Sequence, residues 1–183
     1  MDTVSTLSVP VSAEVLEAML SPYLPDVRYL QSVLVEVKAP AERGGRHGCV
    51  IVGHGEFVSP TQPWYIRDTG HFNAMEFNLC FNQIAYATVA QCVAEKMIPA
   101  LHHMDFSQFR ERQLSHMLIT SLESRFRKPM QSGRFTGEFV LDVVTRHGDM
   151  VWLKTRCSFG SGAATYSSGK VNIVILDRIT PKP

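Results

Sequence analysis

Residues 65–86 read YIRDTGHFNAMEFNLCFNQIAY, and this stretch decides the predicted fold. From Asn73 the chain runs without glycine or proline as far as Pro99, which predicts a helix from about Asn73 toward Met97. Asn73 followed three residues later by Glu76 predicts a capping box at the start of this helix. The helix is apolar enough for a protein interior, yet it carries several amides and one carboxylate. Burying an unpaired polar group costs about 1–3 kcal/mol, so these side chains need partners or a function.

The helical periodicity predicts which of these polar side chains lie together. A helix turns about 100° per residue, which places Glu76 and Gln83 within about 20° of each other. Asn73 and Cys80 flank them on the same stripe, whereas Asn82 lies about 120° from Glu76 and points to another face. Simple capping is the alternative interpretation for Asn73 and Glu76. For Asn82 and Gln83 the alternative is a hydrogen bond to a neighbouring strand or subunit.

The rest of the chain predicts a sheet that covers this helix. We predict short helices at 12–20 and 105–117, a turn at 41–48, and strands at 28–39, 49–59, 118–129, 134–146, 150–159 and 170–178. The segment 160–170, GSGAATYSSGK, reads as a long hairpin turn, because its spacing does not fit a phosphate-binding loop. A long apolar helix needs cover on most sides. An antiparallel sheet wrapped around it gives an α+β architecture, which we expect as a single domain over residues 1–183.

The composition of the chain indicates which kinds of partner and which cellular location to expect. The chain has 183 residues, 45% of them hydrophobic, and a net charge of +1, which gives no basic excess for nucleic acid. The sequence has no secretory signal and no apolar run of about 18 residues, so we expect a cytoplasmic protein without a membrane partner. The four cysteines are scattered singly and are expected to be reduced. There is no dinucleotide fingerprint, and the histidines share no metal-ligand spacing, so we expect neither a cofactor nor a metal.

Two further groups are candidate binding residues. His71 precedes the predicted helix, where free backbone N–H groups favour developing negative charge. Gly70 would allow a ligand to approach that backbone closely. Strand alternation puts Arg125 and Arg127 on one face and Lys128 on the other. This strand end is either a solvated surface with ion pairs or a landing site for phosphate or an acidic carrier protein.

Short motifs along the chain resemble two groups of enzymes of the hot-dog superfamily. Tyr29 in RYL, GHF at 70–72, Gln83 and FRKP at 126–129 resemble, in the same order, the landmarks of β-hydroxyacyl-ACP dehydratases. Residues 65–86, with QLSHMLI at 113–119 and SRFRKP at 124–129, resemble the FcoT-like family of fatty acyl-CoA thioesterases more closely.

The resemblance implies a hot-dog fold, with a bent antiparallel sheet around a long central helix. It also implies a homo-oligomer, at least a dimer, with active sites between subunits and an acyl carrier protein (ACP) or CoA thioester as substrate. Members of the family add glycine to the β-carbon of a (2E)-enoyl-ACP and release a 3-(carboxymethylamino) fatty acid, in β-amino-acid and isonitrile natural-product pathways. The carboxylate that dehydratases carry farther along the helix is replaced here by Asn82 or Gln83, which argues against dehydration.

We therefore expect addition of glycine to an enoyl thioester, followed by thioester hydrolysis. Glu76 is the expected general base, because burial favours the neutral carboxyl form and suits it to take up a proton. His71 and the helix start would hold the thioester carbonyl, and Asn82 is the third candidate catalytic residue. The expected substrate-binding residues are Tyr29, Tyr65, Arg67, Gly70, Asn73, Gln83 and Arg125, and the expected carrier contacts are Arg127 and Lys128.

Three alternative functions remain open at this point. A long-chain acyl-CoA thioesterase would use Asn82 or Glu76 to position water. An enoyl hydratase or dehydratase is disfavoured by the missing helical carboxylate. A non-catalytic acyl-CoA-binding module would bind the thioester without turnover.

Overall fold

A computed structural model of the chain describes residues 6–38, 50–61, 63, 65, 67 and 70–177. They form three α-helices and seven β-strands, together with short 3₁₀ turns at Pro25–Val27 and Pro99–Leu101. The helices are α1 (Ala13–Leu20), α2 (Ala74–Ala94) and α3 (Phe106–Arg112). The strands are β1 (Thr6–Pro10), β2 (Leu30–Lys38), β3 (Val50–Ser59), β4 (Met117–Phe126), β5 (Gly133–His147), β6 (Met150–Ser161) and β7 (Ala164–Leu176).

All seven strands belong to one antiparallel sheet in the order β1-β2-β3-β5-β6-β7-β4. The long helix α2 packs against β2, β3 and β5, and α1 and α3 pack against α2. Most of the residues of α2 are buried, because the sheet covers one side of the helix and the short helices cover another. The predicted α+β hot-dog arrangement, a sheet around one central helix, is confirmed.

Glycines in the sheet allow α2 to approach it closely. A Cβ atom added to Gly53 would lie 2.2 Å from Thr88 Oγ1 on the helix. A Cβ atom on Gly55 would lie 2.8 Å from Ile84 Cδ1. Real Cβ atoms do not come this close to other atoms, so a larger residue at Gly53 would force Thr88 to shift, whereas the Ile84 methyl group opposite Gly55 can rotate away.

Several predicted boundaries are confirmed and several are wrong. The helix at 12–20 is present, with Ser12 as its N-cap, and α2 ends at Ala94 rather than near Met97. The third helix ends at Arg112, because the chain from Met117 already pairs with β7 as β4. The predicted turn at 41–48 lies outside the described residues. Strand β1 is not among the predicted elements.

The predicted long hairpin turn at 160–170 is wrong. Strand β6 continues to Ser161 and β7 begins at Ala164, so only two residues connect them. Gly162 at that connection has φ of +58°, a conformation that glycine adopts at little cost. The start of β7 is rich in small and polar residues, and its hydrophobic periodicity is therefore weak.

The cysteines in the described residues are reduced and buried: Cys80, Cys92 and Cys157. Cys49 lies outside the described residues. None of the helices in the described residues combines the length and apolarity that crossing a membrane would require.

Candidate functional site

The candidate site is built around the first turn of α2. Asn73 is the N-cap, and its side-chain oxygen accepts hydrogen bonds from Met75 N at 2.9 Å and Glu76 N at 3.4 Å. In return, Asn73 N donates to Glu76 Oε2 at 3.0 Å, so the predicted capping box is confirmed. Glu76 is 3% exposed. The capping box thus fixes a buried carboxylate in one orientation at the positive end of a long helix.

Tyr65 is hydrogen-bonded to Asn73, the N-cap residue of α2. Asn73 Nδ2 donates to Tyr65 Oη at 2.7 Å, so both ends of the Asn73 amide are used within the protein. Burial, and to a lesser extent the charge of Glu76, raise the pKa of Tyr65 above its ordinary value, while the hydrogen bond from Asn73 acts in the opposite direction. Asn73 therefore holds the Tyr65 hydroxyl near the Glu76 carboxylate.

Tyr29 is the second tyrosine close to Glu76. Its side chain is 1% exposed, and its hydroxyl has no hydrogen-bond partner within the described part of the chain. Burial raises the pKa of Tyr29 well above its usual range, and the charge of Glu76 adds to this effect. The Tyr29 hydroxyl thus remains protonated near neutral pH, and no described protein group uses its hydrogen-bonding capacity.

Gln83 connects the helix to the segment that carries Tyr29. Gln83 Oε1 accepts hydrogen bonds from Tyr29 N and Leu30 N, both at 3.0 Å, and Nε2 donates to Val27 O at 2.6 Å. These bonds match the strand-bonding alternative inferred from the sequence. We therefore revise the role of Gln83 from direct substrate contact to positioning of Tyr29.

His71 and Gly70 lie just before the helix, and His71 lines an open cavity of about 410 Å³. Gly70 has φ of +71°, a left-handed conformation that favours glycine. Phe72 N donates to Met130 O at 2.7 Å and so fixes this turn against the chain that follows β4. The cavity is lined by His71, Phe72, Asn73, Ala74, Phe126, Arg127, Lys128 and Pro129. Two segments that are far apart in sequence, each with predicted site residues, thus meet at one opening.

Asn82 and Arg125 lie apart from this cavity lining. Asn82 is half-buried and lies on the α2 face away from Glu76, as the helical periodicity predicted. Arg125 has a 73% exposed side chain and forms an ion pair with Glu123 at 2.7 Å. It lines a separate cavity on the outer face of the sheet. Arg125 thus does not line the cavity that contains His71 within one protomer, and its role as a substrate-binding residue stays a prediction. Arg67 is exposed.

Sequence reasoning missed the aromatic cluster behind the site. Five phenylalanines from α2, the preceding turn and three strands pack with ring centroids 5.1–6.2 Å apart. They are Phe57, Phe72, Phe77, Phe135 and Phe159. Only the inward alternation of these positions along their strands could have pointed to this cluster.

Cys80 is a nucleophilic side chain that feels the charge of Glu76. It is fully buried on the same stripe of α2, and burial, with a further contribution from the charge of Glu76, raises its pKa well above the ordinary value. A neutral thiol is a poor nucleophile, so the arrangement favours acid–base chemistry at Glu76 over thiol chemistry.

Sequence comparison gives relatives with a shared name. Over 179 residues, covering 94% of this chain and 91% of the relative, the chain is 32% identical to the (2E)-enoyl-ACP glycyltransferase of Mycobacterium tuberculosis. It is also 35% identical over 131 residues to the (2E)-enoyl-ACP glycyltransferase of Streptomyces coeruleorubidus, covering 72% of this chain and 73% of the relative.

Solved structures share the fold at low sequence identity. A protein from Shewanella oneidensis assigned as a thioesterase has a TM-score of 0.52 and 8% identity, covering 90% of this chain and 99% of its own. A protein from Syntrophus aciditrophicus with the same assignment has a TM-score of 0.51 and 11% identity, covering 89% of this chain and 95% of its own. At this identity the comparison concerns the fold alone.

The family model described as the FcoT-like thioesterase domain matches residues 18–175. This range contains all of α2, the Glu76 capping box and the strands β2 to β6, and most of β7. The chain therefore belongs to the FcoT-like thioesterase family.

Proposed function

We propose that this protein is a (2E)-enoyl-ACP glycyltransferase. It adds the amine of glycine to the β-carbon of a (2E)-enoyl thioester and then hydrolyses the thioester, which yields a 3-(carboxymethylamino) fatty acid. The names of the relatives support the substrate class. The observation that carries the chemistry is the buried Glu76 carboxylate, held by a capping box beside two protonated tyrosines.

Glu76 acts as the general base of the addition. It takes a proton from the glycine ammonium, and the amine formed attacks the β-carbon. A C–N bond forms while the electrons of the C=C bond move toward the thioester carbonyl to give an enolate. Protonated Glu76 then returns its proton to the α-carbon, which balances the proton and regenerates the carboxylate.

The enolate oxygen needs hydrogen-bond donors that are already in place. The Tyr29 hydroxyl is protonated and has no described protein partner, so it can donate to this oxygen. His71, at the mouth of the cavity, is the second candidate donor. Gln83 and Asn73 hold Tyr29 and Tyr65 in place. In the second step, water attacks the same carbonyl, the C–S bond breaks, and a proton from water passes to the sulfur, which releases the acid and the carrier thiol.

The glycine carboxylate needs a cation, and the candidate is Arg67. It is exposed and lies in sequence between Tyr65 and Gly70. A guanidinium group can bind a carboxylate through two parallel hydrogen bonds. Arg127 and Lys128, at the opening of the cavity, are the candidates for the phosphate of the carrier arm.

The protein acts as a homo-oligomer, at least a dimer. Strand β4 lies at one edge of the sheet and exposes large apolar side chains: Leu118, Ile119, Leu122 and Phe126. An exposed apolar edge strand favours pairing with another chain, and two copies of the same strand can pair antiparallel about a two-fold axis. On α2, Met75 and Asn82 lie on a stripe that the protomer leaves uncovered, where a second copy would give Asn82 a partner.

Product analysis tests the reaction directly. The protein is incubated with a medium-chain (2E)-enoyl-ACP, with and without glycine, and the released acids are identified by mass. The proposal predicts a glycine adduct that requires glycine. Release of the unmodified acid at the same rate with or without glycine would instead identify a plain thioesterase. Binding of the thioester without turnover would identify a binding module.

A further inference from the structure

A second cavity, of about 280 Å³, opens on the outer face of the sheet. On β7, the position of Gly169 faces Phe77 of α2, so its neighbour Lys170 points away from the helix. Lys170 pairs in register with Arg156 of β6 on one side and with Glu123 of β4 on the other. Register partners point to the same face, so these side chains form one charged row across three strands.

Ion pairs neutralise only part of the positive charge around this cavity. Arg156 donates to both oxygens of Asp142, at 2.6 and 2.7 Å, and Arg125 is paired with Glu123. Lys170 and Arg127 are exposed and form no ion pair with any residue in the described ranges.

One further carboxylate, Glu138, lines the same cavity. It faces His54 at 3.9 Å, toward the other end of the sheet. Two unpaired cations against this one carboxylate leave the β4–β7 end of the outer face with a net positive charge.

Arg127 links this face to the candidate active site. It lines the outer-face cavity and also the cavity that contains His71. The backbone N–H groups of Arg127 and Lys128 both donate to Tyr166 O, at 2.8 and 3.4 Å, which fixes this segment against β7. A molecule on the outer face and a molecule in the His71 cavity can therefore both contact Arg127, whereas Lys170 lines the outer-face cavity alone.

We propose that this outer face is the docking surface for the carrier protein, an acidic protein whose phosphopantetheine arm enters the His71 cavity. Arg127 and Lys170 contact acidic side chains of the carrier. Arg125 and Arg156, the two arginines that already form ion pairs, line the same cavity. Complementary charge speeds encounter and sets the orientation of the partner. The proposal rests on the proposed function. It adds that an ACP thioester is preferred, because Lys170 lines the outer-face cavity and not the His71 cavity that receives the phosphopantetheine arm.

Steady-state kinetics with one enoyl group on two carriers test the proposal. The substrates are a medium-chain (2E)-enoyl-ACP and the same enoyl group on pantetheine, each with saturating glycine. For Lys170→Glu we expect KM for enoyl-ACP to rise about tenfold, because a rim charge acts mainly on association. The KM for the pantetheine thioester should stay within about twofold, because that substrate does not reach Lys170. At about 1 M salt, which shortens the Debye length to about 3 Å, the difference between the variants should largely vanish.

Arg110→Glu is the matched control, because Arg110 is an exposed arginine on α3 without an ion pair among the described residues. This variant should behave as wild type with both substrates. Equal KM values for enoyl-ACP in wild type and Lys170→Glu would overturn the docking surface while the proposed function stands.

If wild type turns over neither thioester, the proposed function fails. The docking surface is then tested separately, by measuring the binding of the carrier protein directly. Titration of fluorescent holo-ACP should then still show weaker binding to Lys170→Glu than to wild type. Equal binding would overturn the docking surface.

Discussion

Gln83 holds Tyr29 by its backbone: the side-chain oxygen of Gln83 accepts from Tyr29 N at 3.0 Å, deep in the protein. The same amide also bonds to Leu30 and Val27. The backbone of a candidate active-site tyrosine is thus held by an amide on α2, and the two segments cannot move independently without breaking these bonds.

Gln83→Leu should destabilise the protein and impair turnover together. The substitution keeps the volume but leaves two backbone N–H groups and one carbonyl without their bonds, at about 1–3 kcal/mol each. We expect a loss of roughly 3–5 kcal/mol in the free energy of unfolding, measured by urea denaturation. Gln131→Leu, at an exposed glutamine whose side chain has no hydrogen bond to any described residue, should cost less than about 0.5 kcal/mol. A stable Gln83→Leu protein would show that these bonds contribute little.

Tyr29→Phe should separate stability from activity. The change removes only a hydroxyl group that has no described protein partner, so the free energy of unfolding should stay within about 0.5 kcal/mol of wild type. If the hydroxyl stabilises the enolate, kcat should fall about a hundredfold. Unchanged kcat in a well-folded variant would remove Tyr29 from the mechanism.

Gly53→Ala should destabilise the contact between α2 and the sheet. The added Cβ atom would overlap Thr88 Oγ1 at 2.2 Å, so we expect a loss of about 1–3 kcal/mol in the free energy of unfolding. Thr88→Ala removes the overlapping oxygen, and the double variant should therefore recover part of the loss. Strict additivity in this double-mutant cycle would contradict the contact.

Alkaline pH should lower stability through the buried thiols. Burial raises the pKa of Cys92 and Cys157 to about 12, and the Cys80 thiol is shifted in the same direction. Thiols in the unfolded chain ionise near their ordinary pKa of about 8.5, so above this pH the unfolded state binds fewer protons than the folded state. The free energy of unfolding should then fall as pH rises from about 8.5 toward 12, by at most about 1.4 kcal/mol per pH unit for each thiol.

Urea denaturation at about pH 8 and about pH 10 measures this slope. Cys92→Ala removes one of the buried thiols and should make the slope shallower. Equal stability at both pH values in wild type would contradict the burial of these groups.

The central helix and its cap could be predicted from the sequence because they depend on local rules. The spacing of Asn73 and Glu76 encodes the capping box, and the helical periodicity placed Gln83 on the Glu76 face and Asn82 on another. The sequence could not decide whether Gln83 contacts the substrate or forms a hydrogen bond to a neighbouring strand. A hydrogen bond to Tyr29 spans 54 residues in sequence and depends on how β2 approaches the helix.

The strand at 164–176 and the location of Arg125 depend on long-range pairing. The beginning of β7 carries few apolar residues, and part of the bulk against this strand comes from the helix, as Phe77 of α2 lies against Gly169. The alternation put Arg125 and Arg127 on one strand face, and both line one cavity, but it could not show that this cavity faces away from α2. The extent of β7 and the face on which Arg125 lies both follow from the order of the strands in the sheet, which local sequence does not encode.

The most direct test of the central claim compares wild type with Glu76→Gln in the presence of enoyl-ACP and isotope-labelled glycine. The glutamine side-chain oxygen can still accept from Asn73 N, so the cap and the free energy of unfolding should be kept within about 1 kcal/mol. Mass analysis should find the labelled 3-(carboxymethylamino) acid with wild type and at least about a hundredfold less of it with Glu76→Gln. Formation of the labelled acid by Glu76→Gln at the wild-type rate would contradict the account.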